Sequence, residues 1–230
     1  MVILALESSA TPVSAAVYDG EKQLSYEFEN NGLTHSATLL PMADRALKEA
    51  DLTLDDVDAV AVAIGPGSFT GLRIGVSTAK GLAWGKDKPC IGVSTLAAMA
   101  RQAAHCEGIL VPVMDARRGQ FYNALFACEK GEIKRLTPDR AIAYDELFKE
   151  LEAYKDRTVT VMGDGAAKFM EMTGGKQGAL AEENCRWQSA AGVALEAMNT
   201  QPVGADKLVP NYIRLSQAER ERLERENTEK

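Results

Sequence analysis

Few residues in this chain have the types and spacing for chemistry. The stretch 64–75, IGPGSFTGLRIG, sets Gly65, Pro66, Gly67 and Gly71 between the apolar run Ala59–Ile64 and a helical pattern. Strand, glycine turn and helix is a geometry that holds phosphate, because backbone N–H groups at a helix start point at an anion. The details do not fit a nucleotide loop. A P-loop requires Lys-Ser/Thr after its last glycine, whereas Leu72-Arg73 follow Gly71. A dinucleotide loop requires Gly-x-Gly-x-x-Gly, whereas the spacing here is Gly65-x-Gly67-x-x-x-Gly71.

Other chemistries have less support. His35 and His105 lie far apart, and His35, between Thr34 and Ser36, reads as a helix-start residue. Cys90, Cys106, Cys128 and Cys185 contain no Cys-x-x-Cys pair. They read as buried apolar fillers in a reducing compartment, without a disulfide frame or zinc site. Glu7 and Asp115 end equivalent strands but have no chemical partner in sequence. No catalytic, cofactor-binding or metal-ligating residue is expected.

The elements around these residues repeat. Strands are expected at Val2–Leu6, Val13–Tyr18 and Gln23–Glu29, with Asp19-Gly20 as a hairpin. A helix from Thr34 to Ala50, a capped turn at Thr53-x-x-Asp56 and the strand Ala59–Ile64 lead into the glycine loop and a helix Gly71–Gly85. The strand Cys90–Val93 and helix Ser94–Ala104 carry the chain on. Ile109–Met114, Gln120–Cys128 and Glu132–Leu136 then repeat the three strands. The helix Tyr144–Tyr154, the strand Thr158–Met162 and a Gly163-Asp164-Gly165 turn opening a helix follow. The order β-β-β-α-β-α thus occurs twice, predicting an α/β fold of two lobes, 1–104 and 105–206. A small-residue linker is expected at Thr200–Asp206. A solvated helix over 213–230, rich in Glu and Arg, is expected to pack back on the first lobe. Duplicated lobes of this order resemble the plan of actin-like ATPases, hexokinases and Hsp70-type proteins.

The 230 residues are 46% hydrophobic, with 26 basic and 33 acidic residues and net charge -7. That makes it a poor candidate for tight autonomous binding of nucleic acid, whose phosphates attract basic surfaces. No apolar run approaches the ~20 residues of a membrane span, and Met-Val-Ile-Leu-Ala-Leu lacks a basic flank, so a soluble cytoplasmic protein is expected.

Two helices carry more apolar surface than one sheet needs. In the first, Leu39, Met42, Ala43, Ala46 and Ala50 form a seam that Leu40 and Leu47 widen beyond the ~100° stripe of a surface helix. Pro41 interrupts it. In the second, Leu72, Val76, Ala79 and Ala83 form one face and Arg73, Ser77, Lys80 and Trp84 the other. Gly71, Gly75, Ala79 and Ala83 make a ridge of small residues that admits a close neighbour, either the lobe's own sheet or a partner's helix.

GPGSFTGLRIG, with ILALESSATPVSAAVYDG, HSATLLPMADRAL, MDARRGQFYNALF and VPNYIRL, resembles the TsaB (YeaZ) family over nearly the whole chain. That family supplies the bacterial partner subunit of the tRNA threonylcarbamoyladenosine (t6A) machinery. The resemblance implies an actin-like (ASKHA) fold without its own catalysis. The paralogue TsaD holds a catalytic metal with a His-x-x-x-His pair, and Thr95 and Met99 stand at the matching positions here. Ala37 departs from the Glu that the family often carries. The resemblance further implies a heterodimer with TsaD through Leu39, Leu40, Ala43 and Leu47 of the first helix and Arg73, Ile74, Ser77 and Lys80 of the second. The loop Gly67, Ser68, Phe69, Thr70 and Gly71 would form the rim of that contact. The ATPase TsaE would join near the junction, ATP and metal would reside on the partner subunits, and tRNA would be reached only through the complex, with Arg117 and Arg118 as candidate contacts. An isolated chain could pair with itself through the same face. The alternative is a stand-alone actin-like ATPase, kinase or peptidase.

Overall fold

The computed structural model describes residues 1–32 and 34–214. Apart from Ile213 and Arg214, the expected helix 213–230 lies outside the described residues. β1 (Val2–Glu7), β2 (Val13–Asp19) and β3 (Lys22–Glu29) form an antiparallel meander. β4 (Ala59–Gly65) and β5 (Cys90–Ser94) add in parallel, giving the order β3-β2-β1-β4-β5. The strands alternate side chains between two covered faces. Leu4, Leu6, Val60 and Val62 pack against α1 (His35–Glu49) and α2 (Phe69–Trp84). Ile3, Ala5, Ala59, Ala61 and Ala63 pack against α7 (Ala190–Ala197).

The alanine-rich face explains an element that periodicity missed. A sheet surface of methyl groups admits a helix at short range, and α7 is itself Ala190, Val193, Ala194 and Ala197 on that side. Its Gly192 faces α3 (Thr95–Gln102), where a Cβ would come within 2.5 Å of the Ala98 carbonyl oxygen. The packing unit on the first sheet is therefore not contiguous in sequence. Residues 190–197 belong to it, although the sequence reading grouped them with 105–206.

The second sheet is built around β6 (Gly108–Asp115), with β11 (Val159–Met162) and β12 (Ala179–Leu180) parallel to it. The single strand expected over Gln120–Cys128 is two strands, β7 (Gln120–Asn123) and β8 (Phe126–Glu129). Both pair with β6, on either side of Pro112. Proline has no N–H for the ladder, while its carbonyl accepts from the Asn123 side chain at 3.0 Å. β8 continues into β9 (Glu132–Arg135), while β7 pairs with β10 (Arg140–Ala143), which the sequence reading left unassigned. α4 (Tyr144–Leu151) and α5 (Ala166–Thr173) cover one face through Leu147, Leu151 and Phe169. Leu96, Met99 and Ala100 of α3 pack on the other face, together with Cys185 of the short α6 (Glu183–Arg186). α3 thus joins the two sheets.

The segment expected as a linker, Thr200–Asp206, is the start of a packed strap. Cys90 and Val203 exchange backbone hydrogen bonds at 2.8 Å, Leu208 is buried in the first core, and the Asn211 N–H donates to the Ile64 carbonyl at 2.7 Å. Among the described residues no helix is long and apolar enough to cross a membrane.

Candidate functional site

The glycine loop positions α2. Gly65 ends β4 at φ +129°, with a cis peptide to Pro66, and a Cβ there would lie 2.4 Å from the Asn211 carbonyl oxygen. Gly67 and Gly71 press on the turn after β1, where Cβ atoms would meet the carbonyl oxygens of Ser9 at 2.5 Å and Ser8 at 2.0 Å. Ser68 N–H donates to the Ser9 carbonyl at 2.7 Å, and the Ser8 hydroxyl donates to the Gly71 carbonyl at 3.0 Å. The Ser68 side chain caps α2 by accepting from Gly71 N–H. The Ser68 and Gly71 amides are thus spent on the chain itself, and the Ser8–Ser9 turn packs against Gly67 and Gly71.

The ridge of small residues on α2 points inward. Gly71, Gly75, Ala79 and Ala83 are all buried, and a Cβ on Gly75 would meet the Ser8 hydroxyl at 2.6 Å. Of the two neighbours the ridge could serve, it serves the lobe's own sheet. The outer face carries Thr70, Arg73, Ser77, Gly81 and Trp84, with Ile74 half-buried on the core. The strap crosses this face at one side. Lys80 Nζ donates to the Leu208 carbonyl at 3.1 Å, and Arg73 Nε donates to the Tyr212 hydroxyl at 3.1 Å. The Arg73 guanidinium also sits 3.9 Å over the Phe69 ring, which packs 4.9 Å from Tyr212.

On α1 the width of the apolar arc has an internal cause. Leu39, Met42, Ala43, Ala46 and Leu47 are all in the first core. Of the four α1 residues named from sequence, only Leu40 is outside it, at 51% exposure against 8% for Leu47. Ala37 and Pro41 flank it on the exposed side. His35 does hold the helix start, its Nε2 lying 3.1 Å from the Thr11 carbonyl oxygen.

Between the sheets the strand ends gather three acids, of which sequence reasoning identified two. Glu7 is fully buried; Oε1 accepts from Ser9 N–H, and Oε2 is without a partner among the described residues. Burial pushes its carboxyl up to about 7 against the hydrogen bonds from Ser9 and Ser8, with a further push from Asp164. Asp164 is raised to about 6, chiefly by burial, while accepting from Gln188 Nε2 at 2.6 Å. Asp115 pairs with Lys168 at 3.3 Å and accepts from Arg117 N–H at 2.7 Å. Arg117 and Arg118, both at positive φ, are exposed in the turn after Asp115. The signal for Asp164 was an acid between two glycines at a strand end.

Thr95 and Met99 are buried in α3, and the Thr95 hydroxyl is without a partner among the described residues. A lone hydroxyl and a thioether do not make the nitrogen and oxygen donor set of an imidazole-held catalytic metal. The fold brings together a different set. His105, Cys106 and Cys185 place one ligand atom each within 4.8 Å of one another. Burial, then the Cys106 thiol beside it, pushes Cys185 up to about 11. Eighty residues separate His105 from Cys185, so spacing carried no hint of it.

The family model described as "TsaD: tRNA N6-adenosine threonylcarbamoyltransferase" matches residues 29–201. A Bacillus subtilis protein named "tRNA threonylcarbamoyladenosine biosynthesis protein TsaB" is 32% identical over 97% of this chain and 99% of its own. A tRNA N6-adenosine threonylcarbamoyltransferase of Persephonella marina is 36% identical over 40% of this chain and 32% of its own. Among solved structures, the Pseudomonas aeruginosa protein titled "YeaZ" superposes with TM-score 0.77 at 24% identity, over 92% of this chain and 99% of its own. Proteins of the actin-like ATPase fold share the two-sheet plan. With the same duplicated architecture, an alignment spanning both sheets and the strap that crosses α2, the chain belongs to the TsaB (YeaZ) family.

Proposed function

We propose that this protein is the non-catalytic subunit that docks on TsaD and makes it competent for transfer, with TsaE joining at the junction. Its family gives the coarser role directly, which is participation in tRNA threonylcarbamoyladenosine biosynthesis. One observation carries the finer reading. The chain matches the TsaD model over residues 29–201, yet Thr95 and Met99 stand where the resemblance puts the metal-holding histidines. A paralogue without the ligands is suited to hold the enzyme rather than to do its chemistry.

The face offered to TsaD is the exposed side of α1 and α2. Leu40, Ala37 and Pro41 supply an apolar strip, and Ser77 and Gly81 on α2 leave room for a second helix at close range. The glycine loop fixes where α2 starts. ATP and metal belong to the partner subunits in this reading. The net charge of -7 leaves tRNA binding to the complex.

Light scattering on a size-exclusion column tests it, with this protein alone, cognate TsaD alone and the two mixed. A new peak of heterodimer mass supports the reading. Absence of a shift over a range of concentrations overturns it. Leu40→Asp combined with Gly81→Arg abolishes the peak if the face is correct, since both positions are exposed and Gly81 has open space beyond its Cα. ATP hydrolysis by the isolated chain would favour a stand-alone enzyme instead.

A further inference from the structure

We propose that His105, Cys106 and Cys185 form a binding site for a thiophilic divalent cation, Zn(II) by its donor chemistry. The site is separate from the α1–α2 face and from the Glu7, Asp164 and Asp115 cluster. His105 and Cys106 lie in the connection between α3 and β6, and Cys185 lies on α6. Their ligand atoms are mutually within 4.8 Å, with Cys185 Sγ 4.0 Å from His105 Nε2. A tetrahedral cation with bonds of about 2.0–2.3 Å spaces its ligand atoms roughly 3.3–3.8 Å apart, so small side-chain rotations close the set.

Two thiols and an imidazole select a soft or borderline cation over Mg(II) or Ca(II), which take oxygen ligands. The exposure gradient suits entry: Cys185 is buried, Cys106 intermediate and His105 exposed, so the fourth position faces water. On binding, each thiol loses its proton to solvent, two metal–sulfur bonds and one metal–nitrogen bond form, and no redox change occurs. The cation would pin the α3–β6 connection to α6, where Gln102 Nε2 already donates to the Asn184 carbonyl. Gln188, which donates to Asp164, lies two residues after α6.

The test uses full-length, tag-free protein, reduced and stripped of metal. Zn(II) is titrated in competition with a chromophoric chelator, and Co(II) is added under argon. One equivalent bound, thiolate-to-cobalt charge-transfer bands with the d–d pattern of a tetrahedral site, and a higher melting temperature in Zn(II) are expected. His105→Ala, at an exposed position that leaves the core intact, lowers affinity by more than the roughly 10–100-fold that loss of an outer-sphere partner costs. Cys106→Ser loses charge-transfer intensity. Cys128→Ser, which removes a thiol of the same core cluster outside the trio, leaves the Zn(II) affinity and the cobalt spectrum unchanged. The proposal is overturned if the chelator keeps all the Zn(II), if His105→Ala binds as the parent does, or if Cys106 and Cys185 crosslink to each other and take up no cation.

Discussion

Lys80, midway along α2, donates to the carbonyl of Leu208 at 3.1 Å across 128 residues of chain. Around this bond the strap closes over the edge of the first lobe, with Leu208 in the core and Tyr212 against Phe69 and Arg73. The strap is therefore part of the first lobe.

Leu208→Ala should lower stability by about 2–5 kcal/mol, as deletion of a buried leucine does. Lys80→Ala should cost far less, because its bonds are partly exposed. Urea unfolding of both variants checks the difference, and equal small effects would mean that the strap is not part of the folding unit.

Two leucines on α1 should behave oppositely. Leu47→Asp buries a carboxylate in the first core and should leave little folded protein. Leu40→Asp, half exposed, should stay within about 0.5 kcal/mol of the parent. Circular dichroism melts separate these outcomes before any binding assay is interpreted.

The glycines of α2 should also divide. Gly81→Ala fills open space in an exposed helix position and should stabilise by up to about 1 kcal/mol. Gly71→Ala drives a methyl to 2.0 Å from the Ser8 carbonyl and should destabilise, shifting α2 off the sheet. Thermal unfolding of the pair measures both signs; a stable Gly71→Ala would contradict the tight contact.

Stability should fall as pH rises through the window set by Glu7. Its carboxyl moves from about 4.5 when unfolded to about 7 in the fold, so the native state binds the extra proton. The contribution is complete below the unfolded value and is lost as pH rises through the folded one. Asp164, raised to about 6, acts in the same direction. A shift of this size corresponds to about 3 kcal/mol. Glu7→Gln should flatten the dependence between roughly pH 5 and pH 8 and be the more stable protein at the alkaline end. Denaturant titrations across that range provide the measurement, and parallel curves for parent and variant would remove Glu7 as the source.

Much of the architecture was legible because it rests on local rules. Short apolar runs placed β1 and β4, Asp19-Gly20 gave the first hairpin, and Thr53 and Asp56 form the capping box that their spacing implies. The family signature and the missing histidine pair were likewise present in the string of residues. The division of Gln120–Cys128 was not, because it shows only in how the segment pairs with β6 on either side of Pro112.

What only the tertiary structure decided concerns which surfaces meet. An apolar arc on α1 and a small-residue ridge on α2 carry the same pattern whether they face a core or a partner; burial assigns nearly all of both to the core and leaves Leu40 outside. The alanines of α7 find the first sheet, Leu208 finds its core, and Cys185 finds His105, in each case across a long separation in sequence. Sequence alone determined β1 to β5, α1 to α3, their order and the family, since these follow from short-range periodicity, turn chemistry and motif. Long-range contacts depend on the packing of the whole chain, in which each surface is assigned by what the others leave uncovered.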